Sequence, residues 1–388
     1  MKKRVVAVLM ALTMVMGMMT GCGSTESTQT SNSQKSNTET KTEQKSKEEK
    51  STEQKSTEQA EENQKPSEEK NNYADTITLV WYPNESAENF TSSREELGKL
   101  IEQATGKKVE QKLTTDYAIA IESLSNGTAQ IGCVMGAEGY IQAKNANDAV
   151  ELLFVNSGAS GTLEDAMYYS FLAVKEENAA DYKDGDSYSM DNIVGKKMSF
   201  VSNSSTSGFK VPTNSIIAKF ITTSEWADLT VDDLLEGGSD TFFGEVLFGG
   251  SHQGSAFNLV SGKADVAAFC DTEIAPYASC VAGEENQIGS VYEINAGAEA
   301  PFDTVAGEKF TVIYSTPVMN GPFAYNSETL SPEDVAAIQD LFTSDEVSNN
   351  TKIFYPADSE EKGVYKKTAD EHFVLVEDSW YDPIRNMK

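Results

Sequence analysis

The alternation of short apolar runs with helix-period segments, which begins at residue 76, limits this chain to a small set of folds. "TITLVWYP" (76–83) is rich in β-branched and aromatic residues, and "REELGKLIEQATG" (94–106) has Leu and Ile at helical spacing. The same patterns recur in "KKVEQKLT" (107–114), "DYAIAIESLSNG" (116–127) and "AQIGCVMG" (129–136). This β-α-β-α-β order predicts a largely parallel sheet with helices on both faces.

A second series of the same patterns starts near residue 168. Strands are predicted at 168–174 and 198–202, up to Phe248, and at 265–270 and 309–317. Helices are predicted at 214–221, up to Leu259, and at 331–342, where Ser331 is a candidate N-cap. Two such series predict an α/β protein with two lobes. Ligands of open α/β sheets bind beyond the carboxyl ends of the strands, and Asn84, Gly136, His252 and Asp271 lie at such ends.

The first 72 residues have the composition of an export signal followed by a tether. A basic start precedes an apolar run to Met19 that is short for a membrane span, so residues 1–21 are predicted to be a signal peptide. "MTGC" resembles a bacterial lipobox, which implies a lipidated Cys22; the alternative is a plain secretory signal with an incidental cysteine. Residues 22–72, with the lipidated Cys22 at their start, contain almost no apolar side chains and are predicted to be a disordered tether.

The remaining body, residues 73–388, carries the formal net charge of −30, because the charges of the preceding residues cancel. A broad basic face for nucleic acid is therefore not expected. With only two histidines, His252 and His372, a zinc site is not expected either, and neither a cofactor nor a metal is predicted. Cys270 and Cys280 could form a disulfide, which the sequence does not decide.

The stretch "SNSSTSGFKVP", residues 202–212, places five hydroxyl side chains and a glycine directly after a predicted strand. Backbone N–H groups at such a junction lack partners, and with the helix dipole they attract small anions. Ser205, Thr206 and Ser207 would add rotatable donors, and Gly208 would let the backbone approach closely. An ordinary helix cap explains the same residues, and spacing alone does not separate the two interpretations.

Four segments of the body match motifs of one known family. "SSTSGFKVP" closely resembles the family motif "STSGFLVP", and "TTDYAIAIESLSNGTAQIG" looks like the family's Asp-Tyr segment. "GGSHQGSAFNLVSGKADVAAF" is similar to its Gly-His segment and "STPVMNGPFAYN" to its return strand. The family is that of the periplasmic phosphonate-binding proteins, the PhnD-type substrate-binding components of ABC importers for phosphate, phosphite and phosphonates. The resemblance covers residues 76–345.

This resemblance implies a two-lobed type II periplasmic-binding-protein fold that closes on its ligand like a hinged trap. We expect residues 73–171 and 313–388, with C-terminal helices, to form lobe 1 and residues 172–312 to form lobe 2. The implied function is capture of a small phosphorus oxyanion and its delivery to an ABC permease, without covalent chemistry. With a lipid on Cys22, the protein would be a monomer anchored on the outer face of the bacterial cytoplasmic membrane.

The resemblance also implies ligand-binding residues. Ser205, Thr206 and Ser207 match the family's ligands for the phosphonate oxygens. Tyr117 matches the tyrosine of the Asp-Tyr segment, whose phenol would donate to the same anion. His252 matches the histidine after the glycine turn, and its imidazole could donate to an anion oxygen. Packing of Tyr117 and an ordinary loop contact of His252 are the alternatives.

Other positions leave the ligand open. Asp271 could hold the ammonium of an aminophosphonate, accept a P–OH proton, or cap the next helix. Met135 stands where the family has an aromatic pair, and Tyr140 could replace the missing phenol. Lys210 replaces the family leucine, and residues 281–309 look like an acidic, Gly-rich insertion.

Three alternative functions follow from the same residues. A surface hydrolase would use Ser205 or Ser207 as nucleophile, His252 as base and Asp271 as orienting acid, although no nucleophile elbow is present. A surface-anchored sensor or adhesin would use the same fold without transport. A binding protein for another oxyanion, such as a sulfonate, would use the same donors, because hydroxyl and amide groups discriminate poorly among tetrahedral anions.

Overall fold

The computed structural model describes residues 72–84, 90–357, 359 and 363–387. The predicted signal peptide and the candidate lipidation site Cys22 lie outside these residues, as does the predicted tether up to residue 71. All described residues belong to one compact unit. Within this part of the chain, no helix is both long and apolar enough to cross a membrane.

Strands and short helices alternate along the described chain. The strands are β1 (Thr76–Trp81), β2 (Lys108–Leu113), β3 (Ile131–Cys133), β4 (Val150–Asn156), β5 (Met167–Lys175), β6 (Lys183–Asp184), β7 (Ser187–Tyr188), β8 (Lys197–Phe200), β9 (Glu245–Phe248), β10 (Val266–Cys270), β11 (Ala278–Ala282), β12 (Val291–Ile294), β13 (Lys309–Met319), β14 (Phe323–Asn326), β15 (Phe354–Pro356), β16 (Tyr365–Lys367) and β17 (Phe373–Val374). The α-helices are α1 (Thr91–Thr105), α2 (Tyr117–Ser125), α3 (Ala137–Ala146), α4 (Val211–Phe220), α5 (His252–Val260), α6 (Asp271–Ile274), α7 (Pro332–Phe342), α8 (Asp345–Ser348) and α9 (Asp382–Arg385). A π-helical turn, Thr206–Lys210, directly precedes α4.

The first sheet has six strands in the order β17-β4-β14-β3-β1-β2. The predicted parallel arrangement holds for β1, β2 and β3. The prediction of a largely parallel sheet is wrong for the other half, because β14 runs antiparallel to both β3 and β4. This strand enters the sheet on the return from the second sheet, so its direction is reversed.

Alternating side chains of β1 and of Tyr82, the residue after it, show how this sheet is buried on both faces. Ile77, Leu79 and Trp81 pack against α1 and α7, whereas Val80 and Tyr82 pack with α2 and α3. All five side chains are almost inaccessible to solvent. The near-continuous apolar sequence of β1 is therefore explained by helices that cover both of its faces.

The second sheet has seven strands in the order β11-β12-β13-β5-β10-β8-β9. In this sheet β8 pairs in parallel with β9 and β10. β5 pairs antiparallel with both of its neighbours, β10 and β13. Helices α4 and α5 cover its opposite faces. The predicted insertion, 281–309, contains β12, which pairs between β11 and β13 and so extends one edge of this sheet.

Two crossovers join the sheets. Residues 157–166 lead from β4 to β5, and residues 320–322 lead from β13 back to β14. The Asn320 side chain donates a hydrogen bond to the Asn156 carbonyl oxygen at 3.0 Å, which ties the crossovers together. The sequence-based lobe boundaries, 171/172 and 312/313, fall inside β5 and β13, which both belong to the second sheet. The C-terminal part contains α7 to α9 but also three short strands, β15 to β17, that the sequence patterns did not predict.

Candidate functional site

A cavity of about 140 Å³ lies where the carboxyl ends of strands from both sheets meet. The loops after β1, β3, β8 and β10 contribute to its wall, together with Asn156 of β4, Tyr168 of β5, the 320–322 crossover and the C-terminal segment. Hydrogen-bonding side chains of the lining include those of Tyr82, Asn84, Tyr117, Tyr168, Ser205, Thr206, Ser207 and His252, and we call this set the donor end of the cavity. Among the described lining residues there is no lysine or arginine, and Glu273 is the one carboxylate.

The stretch after β8 forms a π-helical turn that opens into the cavity. The Lys210 N–H donates to the Ser205 carbonyl oxygen at 3.0 Å, five residues back, and α4 follows without a break. Pro212 is the second residue of α4, directly after the π turn. Such π turns occur often at functional sites. The turn presents Ser205, Thr206 and Ser207 together at the cavity wall.

Two of these hydroxyls accept hydrogen bonds from backbone N–H groups. Ser205 Oγ accepts from the N–H of Gly208 at 3.1 Å, and Thr206 Oγ1 accepts from the N–H of Glu138 at 2.8 Å. A hydroxyl has a single proton, so an oxygen that accepts in this way keeps that proton for donation elsewhere. The sequence left a helix cap and an anion cradle as alternatives. The Ser205 hydroxyl can serve as both, because it caps the turn with its oxygen and still has its proton to donate.

Two glycines make this packing possible. A Cβ on Gly208 would lie 2.2 Å from Cγ2 of Val201, so this glycine lets the turn pack on the end of β8. This corrects the expectation that Gly208 approaches the ligand, since it does not line the cavity. A Cβ on Gly136 would lie 2.7 Å from Thr206 Oγ1, so that glycine lets Thr206 reach the first turn of α3.

His252 is buried, 4% exposed, and oriented by the backbone. The Cys270 N–H donates to His252 Nδ1 at 3.0 Å, so in the neutral ring the proton is on Nε2. Burial lowers the pKa of His252 to about 3, which keeps the imidazole neutral at physiological pH. The side chain lines the cavity, and its role as a donor to an anion, which the family resemblance implies, stays a prediction.

Tyr117, the first residue of α2, lies at the cavity with two partners. Its phenol oxygen accepts from Asn84 Nδ2 at 2.7 Å, and its ring packs on Tyr82 with centroids 4.3 Å apart. Asn84 Oδ1 accepts from the His252 backbone N–H at 3.1 Å, so Asn84 connects the two sheets. Tyr168 also lines the cavity; burial raises the pKa of its phenol, which stays protonated. The family motifs did not single out Asn84 or Tyr168 as ligands, although Asn84 follows a predicted strand.

The structure places Tyr140 away from the cavity. Its side chain is fully buried, and its hydroxyl donates to Asp378 Oδ1 at 2.7 Å. The ring packs against Tyr381 of the C-terminal segment. The expectation that Tyr140 replaces a ligand phenol is therefore corrected: it sits on α3, whose buried face here points to the C-terminal segment.

Asp271 does not reach the cavity, which contradicts the two ligand-binding alternatives given for it. Its Oδ1 accepts from the Tyr169 N–H at 2.8 Å and its Oδ2 accepts from Asn286 Nδ2 at 3.1 Å. Burial raises the pKa of Asp271 to about 6, and the residue does not line the cavity. Glu273, two residues later in α6, does line it and accepts from Gln253 Nε2 at 3.1 Å. The sequence "CDTE" contains both acids, and Asp271 was chosen because it directly follows the predicted strand.

The three cysteines of the described chain, Cys133, Cys270 and Cys280, are free thiols. The possible Cys270–Cys280 disulfide is therefore not formed. Cys270 lines the cavity, and burial raises the pKa of its thiol well above the usual value. No group of three or more His, Cys, Asp or Glu side chains in the described part of the chain is arranged to hold a metal ion.

Two α/β sheets joined by two crossovers, with a donor-lined cavity at their strand ends, define a type II periplasmic binding protein. The sequence model of the family described as the periplasmic substrate-binding protein of phosphonate ABC transporters matches residues 79–381. The chain therefore belongs to this family, which the sequence motifs had indicated.

Individual relatives agree with this assignment. The chain is 26% identical over 331 residues to the phosphate-import protein PhnD of Mycolicibacterium smegmatis, which covers 83% of this chain and 87% of the relative. A binding protein component of an ABC phosphonate transporter from Pseudomonas aeruginosa has a TM-score of 0.53 at 19% identity, covering 80% and 85% of the two chains. PhnD1 of Prochlorococcus marinus, solved with methylphosphonate, has a TM-score of 0.53 at 12% identity, covering 81% and 97%. These two structures support the fold.

Proposed function

We propose that this protein captures a small phosphorus oxyanion, a phosphonate, phosphite or phosphate, and delivers it to an ABC permease. The observation that carries this proposal is the donor end of the cavity. Ser205, Thr206 and His252 each have an acceptor atom that is filled by a backbone N–H, so each offers its proton to a ligand. The names of the relatives, a phosphate importer and phosphonate-binding proteins, support the same ligand class.

Neutral donors suit the charge of this body. A hydrogen bond to a charged group contributes roughly 1.5–3 kcal/mol, so several together hold an anion without a paired cation. Glu273, rather than Asp271, is the acid that we propose to face the ligand. A carboxylate in this place disfavours a second negative charge on the ligand and favours a P–OH proton or an ammonium group near it.

We further propose that the two sheets form the two lobes of a hinged trap. Two hydrogen bonds already join residues from the two sheets, Glu138 N–H to Thr206 Oγ1 and His252 N–H to Asn84 Oδ1. An anion bound between the same elements would add contacts to both sides and favour the closed arrangement. The crossovers at 157–166 and 320–322 would be the hinge.

The contacts of the proposed catalytic residues argue against the hydrolase alternative. A Ser-His-Asp triad needs the acid to orient the histidine. Here His252 Nδ1 accepts from the Cys270 N–H, and Asp271 accepts from Tyr169 and Asn286 instead. We therefore propose a binding protein that performs no covalent chemistry.

We also propose that Cys22 carries a lipid and holds the protein on the outer face of the membrane. The lipobox-like "MTGC" supports this location. Expression of the full chain in a bacterium, followed by membrane fractionation, tests it. We expect the wild-type protein in the membrane fraction and Cys22→Ala in the soluble extracytoplasmic fraction; the same distribution for both would contradict an anchor at this residue.

Thermal unfolding of the purified protein tests the ligand class. Phosphate, phosphite, methylphosphonate and sulfate are added in turn, after unfolding and refolding to remove any ligand carried through purification. A ligand at a hundred times its Kd should stabilise the protein by about 2.7 kcal/mol. We expect at least one phosphorus anion to raise the Tm more than sulfate does. A well-folded protein whose Tm responds to none of them would refute the proposal.

A further inference from the structure

The cavity has a second wall that the anion-binding residues do not use. Tyr355, Val364 and Tyr365 line it from the C-terminal segment, and Phe90 and Pro276 complete it from the two sheets. These side chains present aromatic rings and aliphatic groups to the cavity, and the two tyrosines also carry a phenol hydroxyl each. We call Tyr355, Val364 and Tyr365 the roof.

The roof is held in place by the core of the first sheet. Strand β15 pairs in parallel with β16, and the Tyr365 ring stacks on Phe354 at 5.4 Å and meets Phe373 edge-on at 5.5 Å. Phe354 and Phe373 belong to the buried cluster that also contains Trp81. The roof is therefore an ordered wall of the cavity rather than a surface loop lying near it.

The cavity is larger than a tetrahedral anion requires. Its volume of about 140 Å³ is close to that of an engineered protein cavity of about 150 Å³ that accommodates benzene. An inorganic phosphate has five heavy atoms, so it would fill only part of the space when bound at the hydroxyl end. The remaining space would border the roof, where apolar groups are favoured over water.

We propose that the roof is a second subsite, which takes an apolar organic substituent on the bound anion. The preferred ligand is then an alkyl- or arylphosphonate with a substituent of about three carbons or a phenyl ring. This proposal rests on the proposed function, because the substituent is placed by a phosphonate group already bound at Ser205, Thr206 and Ser207.

A ligand series measured by calorimetry on the purified full-length protein tests the subsite. The series is phosphate, methylphosphonate, propylphosphonate, phenylphosphonate and 2-aminoethylphosphonate. Each buried CH₂ should tighten binding by about fourfold, so propylphosphonate should bind roughly tenfold or more tightly than methylphosphonate. Phosphate or methylphosphonate binding as tightly as the propyl and phenyl ligands would overturn the proposal, and so would the tightest binding by 2-aminoethylphosphonate.

Two substitutions separate the roof from the anion-binding end. Val364→Thr keeps the side-chain volume but adds a hydroxyl, and we expect it to reduce the ratio of methylphosphonate Kd to propylphosphonate Kd by at least threefold. The Kd for phosphate should stay unchanged. Tyr355→Ser should act in the same direction. Val376→Thr, at another half-buried valine of the C-terminal segment that does not line the cavity, is the matched control.

The outcomes distinguish the two proposals. If both roof substitutions leave the ratio unchanged while phosphorus anions still bind, the roof proposal fails and the proposed function stands. If a folded, ligand-free protein binds no member of the series, the proposed function fails and the roof proposal fails with it. Because each ratio is measured within one variant, a partly unfolded fraction changes both values alike and leaves the ratio intact.

Discussion

The two ends of the cavity are built in opposite ways. The proposed anion-binding end comes from loops at strand ends, and a contiguous motif, Ser205 to Ser207, supplies much of it. Its side chains are fixed by backbone N–H groups from Gly208, Glu138 and Cys270. The roof comes from residues about 150 positions later in the chain, and aromatic packing on the core fixes it. In the two proposals, directional hydrogen bonds define a general anion site, and shape and apolar surface define which substituent the anion carries.

The largest effect on affinity should come from a charge placed in the proposed anion-binding end. Asn84→Asp keeps the size of the side chain and the acceptor for the His252 N–H, but adds a negative charge. At a distance of ~6 Å and an effective dielectric constant of ~20, two negative charges repel by about 2.8 kcal/mol, so affinity for every anion should fall by roughly 100-fold. Calorimetry with phosphate and methylphosphonate measures this loss.

Asn349→Asp adds the same charge at an exposed position on the surface and is the control. It should leave both affinities within about twofold of the wild type. Equal losses in the two variants would mean that the net charge of the body, rather than the local field at Asn84, governs binding.

The contrast between the two ends also explains what the sequence could predict. The hydroxyl motif and His252 were found because each lies at the end of a predicted strand, where α/β proteins bind ligands. The roof was not found, because Tyr355 and Tyr365 belong to three-residue strands without a recognisable period. Their place over the cavity depends on pairing between distant segments, which no local pattern encodes.

The errors at individual residues have the same physical origin. Tyr140 and Asp271 were chosen for their chemistry and approximate position, and both side chains are directed to other partners, Asp378 and Tyr169. A helix turns by about 100° per residue, so a shift of two positions in α6 decides which acid faces the cavity. The sequence therefore predicted most of the strands and helices of the body. It did not predict the direction in which a single side chain points after a strand end.

A smaller effect, shared by all ligands, is expected for Thr206→Val. The variant keeps the shape of the side chain but loses the O–H donor and the acceptor for the Glu138 N–H. Loss of a hydrogen bond to a charged ligand costs about 2 kcal/mol, or roughly 30-fold in Kd. The factor should be equal for phosphate and propylphosphonate, because both use the same oxygens.

Ser204→Ala is the neighbouring control. Ser204 belongs to the same serine-rich stretch and is 8% exposed, but it does not line the cavity. Its removal should leave both affinities unchanged. A Thr206→Val variant that weakens only one of the two ligands would break the distinction between a general anion end and a selective roof.

The neutral state of His252 predicts a pH dependence of stability. The folded protein holds the pKa of His252 near 3, below the ordinary value of 6.5, so below pH 6.5 the unfolded chain binds a proton that the folded protein does not. Stability contributed by this group is complete above pH 6.5 and is lost as the pH falls toward 3, by about 1.4 kcal/mol per pH unit. The variant His252→Gln has no titrating group at this position, so it should not lose this stability as the pH falls.

Denaturant unfolding of both proteins between pH 7 and pH 4 measures the difference. The variant should be the less stable protein at pH 7, because the Cys270 N–H loses its acceptor, and the gap should narrow as the pH falls. Asp271, with its pKa raised to about 6, has the opposite effect, stabilising the fold as the pH falls below 6, but it is present in both proteins and cancels. A gap that stays constant over this range would mean that His252 has the same pKa in the folded protein as in the unfolded chain, which contradicts the prediction.

The smallest effect concerns the fastening of the C-terminal segment, which carries the roof, to the crossover. The hydroxyl of the fully buried Tyr381 donates to the Asn320 carbonyl oxygen at 2.8 Å, and Asn320 in turn donates to Asn156. Tyr381→Phe removes one hydrogen bond and should cost about 1 kcal/mol, or a fall in Tm of about 2 °C. Tyr325→Phe, at a half-buried tyrosine on β14, should change the Tm less. If Tyr381→Phe instead leaves the Tm unchanged, packing alone holds the segment against the crossover, and the roof and the hinge are coupled only through apolar contacts.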